Sequence, residues 1–317
     1  MPEPVRHVRV PTYDDLEAAA KVVSDHLPPT PLDTAYGRGP EIALKLESLQ
    51  PTGSFKVRGA LNALAAVPHD VPVITASSGN HGLGMAFAAG LTGRSITVVV
   101  SRNASPAKVS ALRASGVDLV RFGNSFDDAE AHALRLAAEG ACYVSTYNDP
   151  YVIAGQATIG FELDDQLPGD VTVLCGVGGG GLAAGLGLWR SRRPGARIVA
   201  VEPERSTAMS AAVRAGTQVD VEVGETLADG IAGNIEPGSV TIDLVREHVD
   251  GFVTVSEDEI RAAIRYLALE RGVTAEGSGA VGVAALLAGK VPTRGTPVAV
   301  VTGRNIARSA LVEVLGS

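Results

Sequence analysis

The chain has 317 residues, of which 45% are hydrophobic, 20% charged and 4% aromatic, with 37 glycines and a formal net charge of −8. That balance predicts an ordinary globule of two lobes or one large α/β unit, and the scattered lysines and arginines argue against a nucleic-acid footprint. Cys142 and Cys175 are too few for a disulfide framework or a sulfur metal site, residues 1–10 lack the apolar core of a signal peptide, and no apolar run reaches a membrane span, so a cytoplasmic protein is expected.

Along the chain, short β-branched apolar runs alternate with longer helical patterns. Strands are predicted at 71–75, 96–100, 117–122, 171–175, 198–201, 252–255 and 297–301. Helices are predicted between them at 82–90, 106–115, 125–139, 153–166, 181–190, 257–271 and 280–287. Near-continuous apolar strands separated by helices indicate parallel sheets covered on both faces. Ser105 and Ser256 stand where N-caps belong, and Gly116, Gly140 and Gly272 where helices stop. The first three strands with their helices make one lobe, over about 72–145, and the later strands make a second sheet. Too little chain follows the last predicted strand to build an appended domain.

Four segments carry chemistry. In Gly53-Ser54-Phe55-Lys56 a turn gives way to a helix. A lysine at a helix N-terminus, desolvated by Phe55, would have a depressed pKa and a free amine able to condense with an aldehyde; a plain surface lysine is the bland alternative. In Thr75-Ala-Ser77-Ser78-Gly79-Asn80-His81-Gly82, hydroxyls and amides at a helix start form an anion site suited to a carboxylate; the alternative is a simple capping turn. In Cys175-Gly-Val-Gly178-Gly179-Gly180-Gly181-Leu182, four successive glycines between a strand and a helix suit a phosphate. Gly176, Gly178 and Gly181 also satisfy the dinucleotide fingerprint, with Glu202 at the end of the next strand as a ribose-binding acid, so an NAD-dependent oxidoreductase is a rival. Thr302-Gly303-Arg304-Asn305, after the last strand, is by itself only a turn.

Together and in this order, these segments resemble the fold-type II pyridoxal phosphate (PLP) enzymes, in particular the serine/threonine dehydratase and serine racemase group. The resemblance runs over residues 28–305 and takes in Pro150-Tyr-Val-Ile-Ala-Gly155-Gln156, Ala228-Asp229-Gly230 and Val255-Ser-Glu-Asp-Glu-Ile260. It implies a tryptophan synthase β-like fold of two parallel-sheet αβα lobes with the active site between them. The large domain would be 1–71 with 146–317, and the small one 72–145. It also implies that Lys56 bonds PLP covalently, Phe55 packs on the ring, Asn80 meets the ring hydroxyl, Gly178, Gly179, Gly180, Gly181 and Leu182 hold the phosphate, and Thr302 faces the pyridine nitrogen. Ser77, Ser78, Gly79, Asn80 and His81 would bind the substrate, with Ser78 the acid/base candidate on the face opposite Lys56.

The sequence departs from the group at Arg304, where a small residue is usual. Glu202 and Ser206 match two positions of the racemase cation site, but Ala208 replaces its aspartate, so no metal is expected. The activity implied is β-elimination from a small hydroxyamino acid to a 2-oxo acid and ammonia, by a homodimer. Alternatives are an amino-acid racemase with dehydratase activity and a lyase acting on hydroxyaspartate or a compatible-solute breakdown product.

Overall fold

The computed structural model describes residues 5–34 and 41–316, and the side chains of 7–34 and 41–316. Of the N-terminal stretch read against a signal peptide, residues 1–4 lie outside the described residues. In chain order the first half carries β1 (Val5–Arg6), α1 (Tyr13–Ser24), β2 (Leu32–Asp33), β3 (Ala43–Lys45), α2 (Lys56–Ala66), β4 (Val73–Ala76), α3 (Asn80–Thr92), β5 (Ile96–Val100), α4 (Pro106–Ala114), β6 (Asp118–Arg121), α5 (Phe126–Ala137), β7 (Cys142–Tyr143) and α6 (Pro150–Gln166). The second half carries β8 (Val171–Gly176), α7 (Gly181–Arg190), β9 (Ala196–Pro203), α8 (Ala208–Ala215), α9 (Thr241–His248), β10 (Gly251–Val255), α10 (Glu257–Glu270), α11 (Gly277–Leu287), β11 (Thr296–Val300) and α12 (Arg308–Gly316).

Two compact units result, one of residues 1–27 with 56–158 and one of 28–55 with 159–317. The first holds a five-stranded parallel sheet, β1-β7-β4-β5-β6. Strand alternation sends Val73 and Val98 to one core with α2 and α3, and Ile74 and Val99 to another with Ala129, Ala133 and Ala137 of α5. This unit is wider than the 72–145 expected from strands, because Val23, Leu27, the apolar face of α2 and Val152 of α6 belong to its first core. The second unit holds a six-stranded sheet, β10-β9-β8-β11-β3-β2, parallel except at β2–β3. All six residues of β8 are buried, as a strand covered on both faces should be. Both cysteines are buried and free, and burial pushes the Cys142 thiol up to about 11 and the Cys175 thiol up to about 12.

Helix punctuation is local chemistry. Thr12 with Asp15, Ser125 with Asp128 and Ser256 with Glu259 form reciprocal capping boxes for α1, α5 and α10. Ser105 holds the expected N-cap position of α4, but its side chain makes no cap bond, and Pro106 at the first helical position has one amide fewer to satisfy. Gly116, Gly140 and Gly272 follow their helices with positive φ.

In the first unit α2 is gripped through glycines. A Cβ on Gly155 of α6 would stand 2.6 Å from Gly59 Cα and 2.7 Å from Arg58 O, so the two helices cross backbone to backbone. Gly84 of α3 approaches Lys56 O in the same manner, its would-be Cβ 3.1 Å away. Gly155→Ala should therefore overpack the crossing and destabilise the protein by about 1–3 kcal/mol. Urea titration of the variant measures it, and an unchanged midpoint would show that α2 yields freely.

Candidate active site

The lysine segment is held by backbone. Gly53 has φ 78°, a conformation a side chain would strain, and its would-be Cβ lies 2.5 Å from Asn305 Oδ1. Ser54 forms an antiparallel bridge with Gly303. The Phe55 amide donates to Thr302 O at 3.0 Å and the Arg304 amide to Gly53 O at 2.9 Å, while Asn305 Nδ2 donates to Thr52 O at 2.9 Å. The four-residue turn after the last strand is thus the strap for residues 52–55. Arg304 contributes its backbone to that strap, and its side chain is half-buried.

Lys56 is the next residue and the first of α2. Its Nζ donates to Thr146 O at 2.8 Å, and burial lowers its pKa to about 8. Desolvation suffices as the cause, because it disfavours the charged amine without any neighbouring charge. Thr146 acts through a carbonyl, so its side chain gave no signal in the sequence.

Ser77, Ser78 and Gly79 join β4 to α3. Ser77 is 9% exposed and its Oγ accepts from the Gly79 amide at 3.2 Å, so it shapes the turn and leaves the helix uncapped by any side chain. The simple capping alternative therefore does not describe this loop. Ser78, Gly79 and Asn80 are half-buried. His81 is 2% exposed, and neither ring nitrogen has a hydrogen-bond partner. Burial and then the charge of Lys56 lower its pKa to about 3, against the pull of the Val144 carbonyl, which stands outside hydrogen-bond geometry. His81 is a buried neutral imidazole, adjacent in electrostatics to the lysine.

The second unit supplies the glycine loop. Gly178, Gly179 and Gly180 follow β8, and Gly181 opens α7, again with no side-chain cap. A Cβ on Gly178 would lie 2.8 Å from Ile231 O, so the loop rests on the turn after Ala228. Leu182 is 5% exposed. Thr302, also 5% exposed, donates weakly to Ser278 O at 3.3 Å. Ser278 went unnoticed in the sequence, where it stands as the one polar residue in a run of glycine and alanine opening α11.

Glu202, the acid of the dinucleotide alternative, ends up elsewhere in chemistry. It is 1% exposed, and its Oε1 accepts from the amides of Met209 at 2.9 Å and Ser210 at 3.2 Å, closing the N-terminus of α8. Burial raises its pKa, which opposes the charge a ribose or cation ligand needs.

A model of the pyridoxal-phosphate dependent enzymes matches residues 23–303. The chain is 42% identical to the L-threonine ammonia-lyase of Thermotoga maritima over 93% of its own length and 76% of that protein. It superposes on the processed threonine deaminase isoform 2 of Solanum lycopersicum with a TM-score of 0.87 and 33% identity, covering 100% of this chain and 93% of that one. On maize serine racemase the TM-score is 0.89 at 28% identity, covering 97% and 98%. The chain therefore belongs to the pyridoxal-phosphate dependent enzymes, as a fold-type II member of the serine/threonine dehydratase group.

Proposed function

We propose that this enzyme removes water from a small hydroxyamino acid, L-threonine first and L-serine next, and releases the 2-oxo acid and ammonia. The observation that carries the proposal is the desolvated Lys56 amine, with its pKa of about 8, in a chain 42% identical to an L-threonine ammonia-lyase. The residues present fit PLP: an amine able to stay neutral, an uncapped glycine-lined helix start for a phosphate, and a buried hydroxyl at Thr302. Bound PLP supplies the electron sink for the bond broken at the substrate Cα.

The remaining roles belong to the chain. Lys56 would hold the cofactor aldehyde, and its amine, with a pKa near neutral, is suited to take the substrate Cα proton. Ser77, Ser78 and the amides at Gly79 and Asn80 hold the substrate carboxylate at the start of α3, with His81 neutral behind them. Phe55 would pack on the cofactor ring, Asn80 would meet its hydroxyl, and Gly178, Gly179, Gly180, Gly181 and Leu182 would hold its phosphate. Thr302 would face the ring nitrogen, and to donate there its single proton would have to turn away from Ser278 O. A hydroxyl partner leaves that nitrogen neutral and favours elimination over reactions that store charge in the ring.

One observation favours the second activity, racemisation. Ser78 is half-buried in the carboxylate loop, where the opposite-face acid/base would stand, and a serine racemase is among the structural relatives. We further propose that the enzyme is a cytoplasmic homodimer, which light scattering and cell fractionation test. No helix among the described residues is long and apolar enough to cross a membrane.

Three outcomes are expected. Incubated with L-threonine, wild type should release oxo acid and ammonia, and Lys56→Ala should lose on the order of 10²–10⁴-fold of that rate together with PLP fixation by borohydride at that peptide. Fixation at another lysine in the variant would move the assignment, and serine enantiomers interconverting as fast as elimination would put racemisation first. The second outcome concerns pH. Between about 8 and 10.5 the unfolded chain keeps a proton on Lys56 that the folded apoprotein does not. Stability contributed by this group should therefore rise with pH through that window and stay flat below it. Lys56→Met should remove that slope in denaturation of the apoprotein, and an unchanged slope would show the amine to be hydrated. Third, we propose that no divalent metal is needed, since Ala208 occupies the start of α8 and Glu202 is committed to that helix. Activity should survive EDTA; loss restored by magnesium or calcium would overturn this.

A further inference from the structure

Behind the glycine loop lies a pair of buried hydroxyls that the proposed chemistry does not use. Thr241 is fully buried and Ser239 is 6% exposed. Both stand at the N-terminus of α9, where serine and threonine ordinarily cap helix amides. Neither does so: α9 has no side-chain cap. Instead Thr241 Oγ1 donates to the Gly179 carbonyl at 2.7 Å, and the Ser239 hydroxyl lies 2.7 Å from Thr241 Oγ1. A hydroxyl has one proton, and that of Thr241 is committed to Gly179, so Ser239 must be the donor of the second bond. The chain of donation runs Ser239 to Thr241 to the Gly179 carbonyl.

The peptide plane carries the consequence. The Gly179 carbonyl and the Gly180 amide belong to one planar trans peptide and point in opposite directions. Fixing the carbonyl on Thr241 therefore fixes the Gly180 N–H on the side away from α9. The residue at 180 is itself held: φ is 89°, and a Cβ there would stand 2.5 Å from Met209 Cε and 3.0 Å from Thr241 Cβ. Four successive glycines have little intrinsic preference for one peptide orientation, and flipping this plane is the motion their freedom permits most readily.

We propose that Thr241, with Ser239 behind it, is a positioning residue that sets the Gly179–Gly180 peptide for an anionic group at the start of α7, and so tunes how tightly the cofactor phosphate is held. This rests on the assignment of Gly178 to Gly181 to that phosphate. Thr241→Val keeps the shape against Gly180 and removes only the hydroxyl; Thr241→Ser keeps the hydroxyl. Apoproteins of both, of Ser239→Ala and of Gly178→Ala are titrated with PLP and with pyridoxal, which has no phosphate, and the bound phosphate is observed by phosphorus NMR.

Thr241→Val should weaken PLP roughly tenfold, as loss of one well-formed hydrogen bond does, with pyridoxal affinity unchanged and a shifted phosphorus signal. Ser239→Ala should weaken PLP by about twofold to threefold, in line with an indirect contribution, and Thr241→Ser should stay near wild type. A wild-type ratio of PLP to pyridoxal affinity in Thr241→Val overturns the proposal, as does a serine variant as defective as the valine one. If Thr241→Val fails to fold, the Thr241→Ser and Ser239→Ala ratios decide in the same way. Gly178→Ala separates the two levels. If it lowers the ratio while Thr241→Val does not, only the positioning role falls; if neither lowers it, the phosphate assignment falls as well.

Discussion

The constraint on which the rest depends is a half-buried lysine amine whose surroundings disfavour its charge. In solvent such an amine is protonated and useless as a nucleophile or base; buried, its pKa falls to about 8. Holding it there takes work from the surrounding backbone, since a small outward shift of α2 would return it to water. In the second unit, residues 53–55 are themselves held by their pairing with 302–304. The helix is restrained along its side by the close approaches at Gly84 and Gly155. These are main-chain contacts, which fix a helix more tightly than side chains with several rotamers could. Within the first unit, the residues that grip α2 beside Lys56 have no reactive group of their own.

A second pattern follows from how the helices begin. At several helices a side chain closes the first turn: capping boxes serve α1, α5 and α10, and Glu202 reaches from β9 to close α8, while α4, α9 and α11 begin without a side-chain cap. At α3 and α7 no side chain does this. Their leading amides keep the partial positive charge that an anion can use. The small residues around them allow close approach to main chain. The first unit carries Lys56 and the uncapped start of α3, and the second carries the uncapped start of α7 and Thr302.

Much of this was legible in the sequence because periodicity and glycine placement are local. Strand β5 and helix α7 fall at 96–100 and 181–190 as expected, and other boundaries shift by a few residues. Helices α1, α8, α9 and α12 were not among those expected, and the rest of what stayed hidden was short or nonlocal. The two-residue strands β1, β2 and β7 carry too few residues to show alternation. Residues 302–305 read as an isolated turn because their partners are far away in the chain, 253 positions in the case of Asn305 and Thr52. Thr146 and Gly179 act through carbonyls, which every residue has. Ser105 shows the converse: the right residue type at the right position, without the bond.

The dinucleotide alternative shows why pattern alone does not decide chemistry. Its glycines are present at 176, 178 and 181, and its acid stands at the end of the following strand. A ribose, however, needs a charged carboxylate with lone pairs facing the ligand. In Glu202 one oxygen is committed to two helix amides, and burial raises the pKa of the group. Those amide bonds favour the charged form and burial opposes it, and burial is the larger effect. The side chain has been drawn into the packing of α8, so its spacing satisfies the fingerprint while its atoms do not. A lone phosphate asks less of a glycine loop than a dinucleotide does, only amides and a helix start.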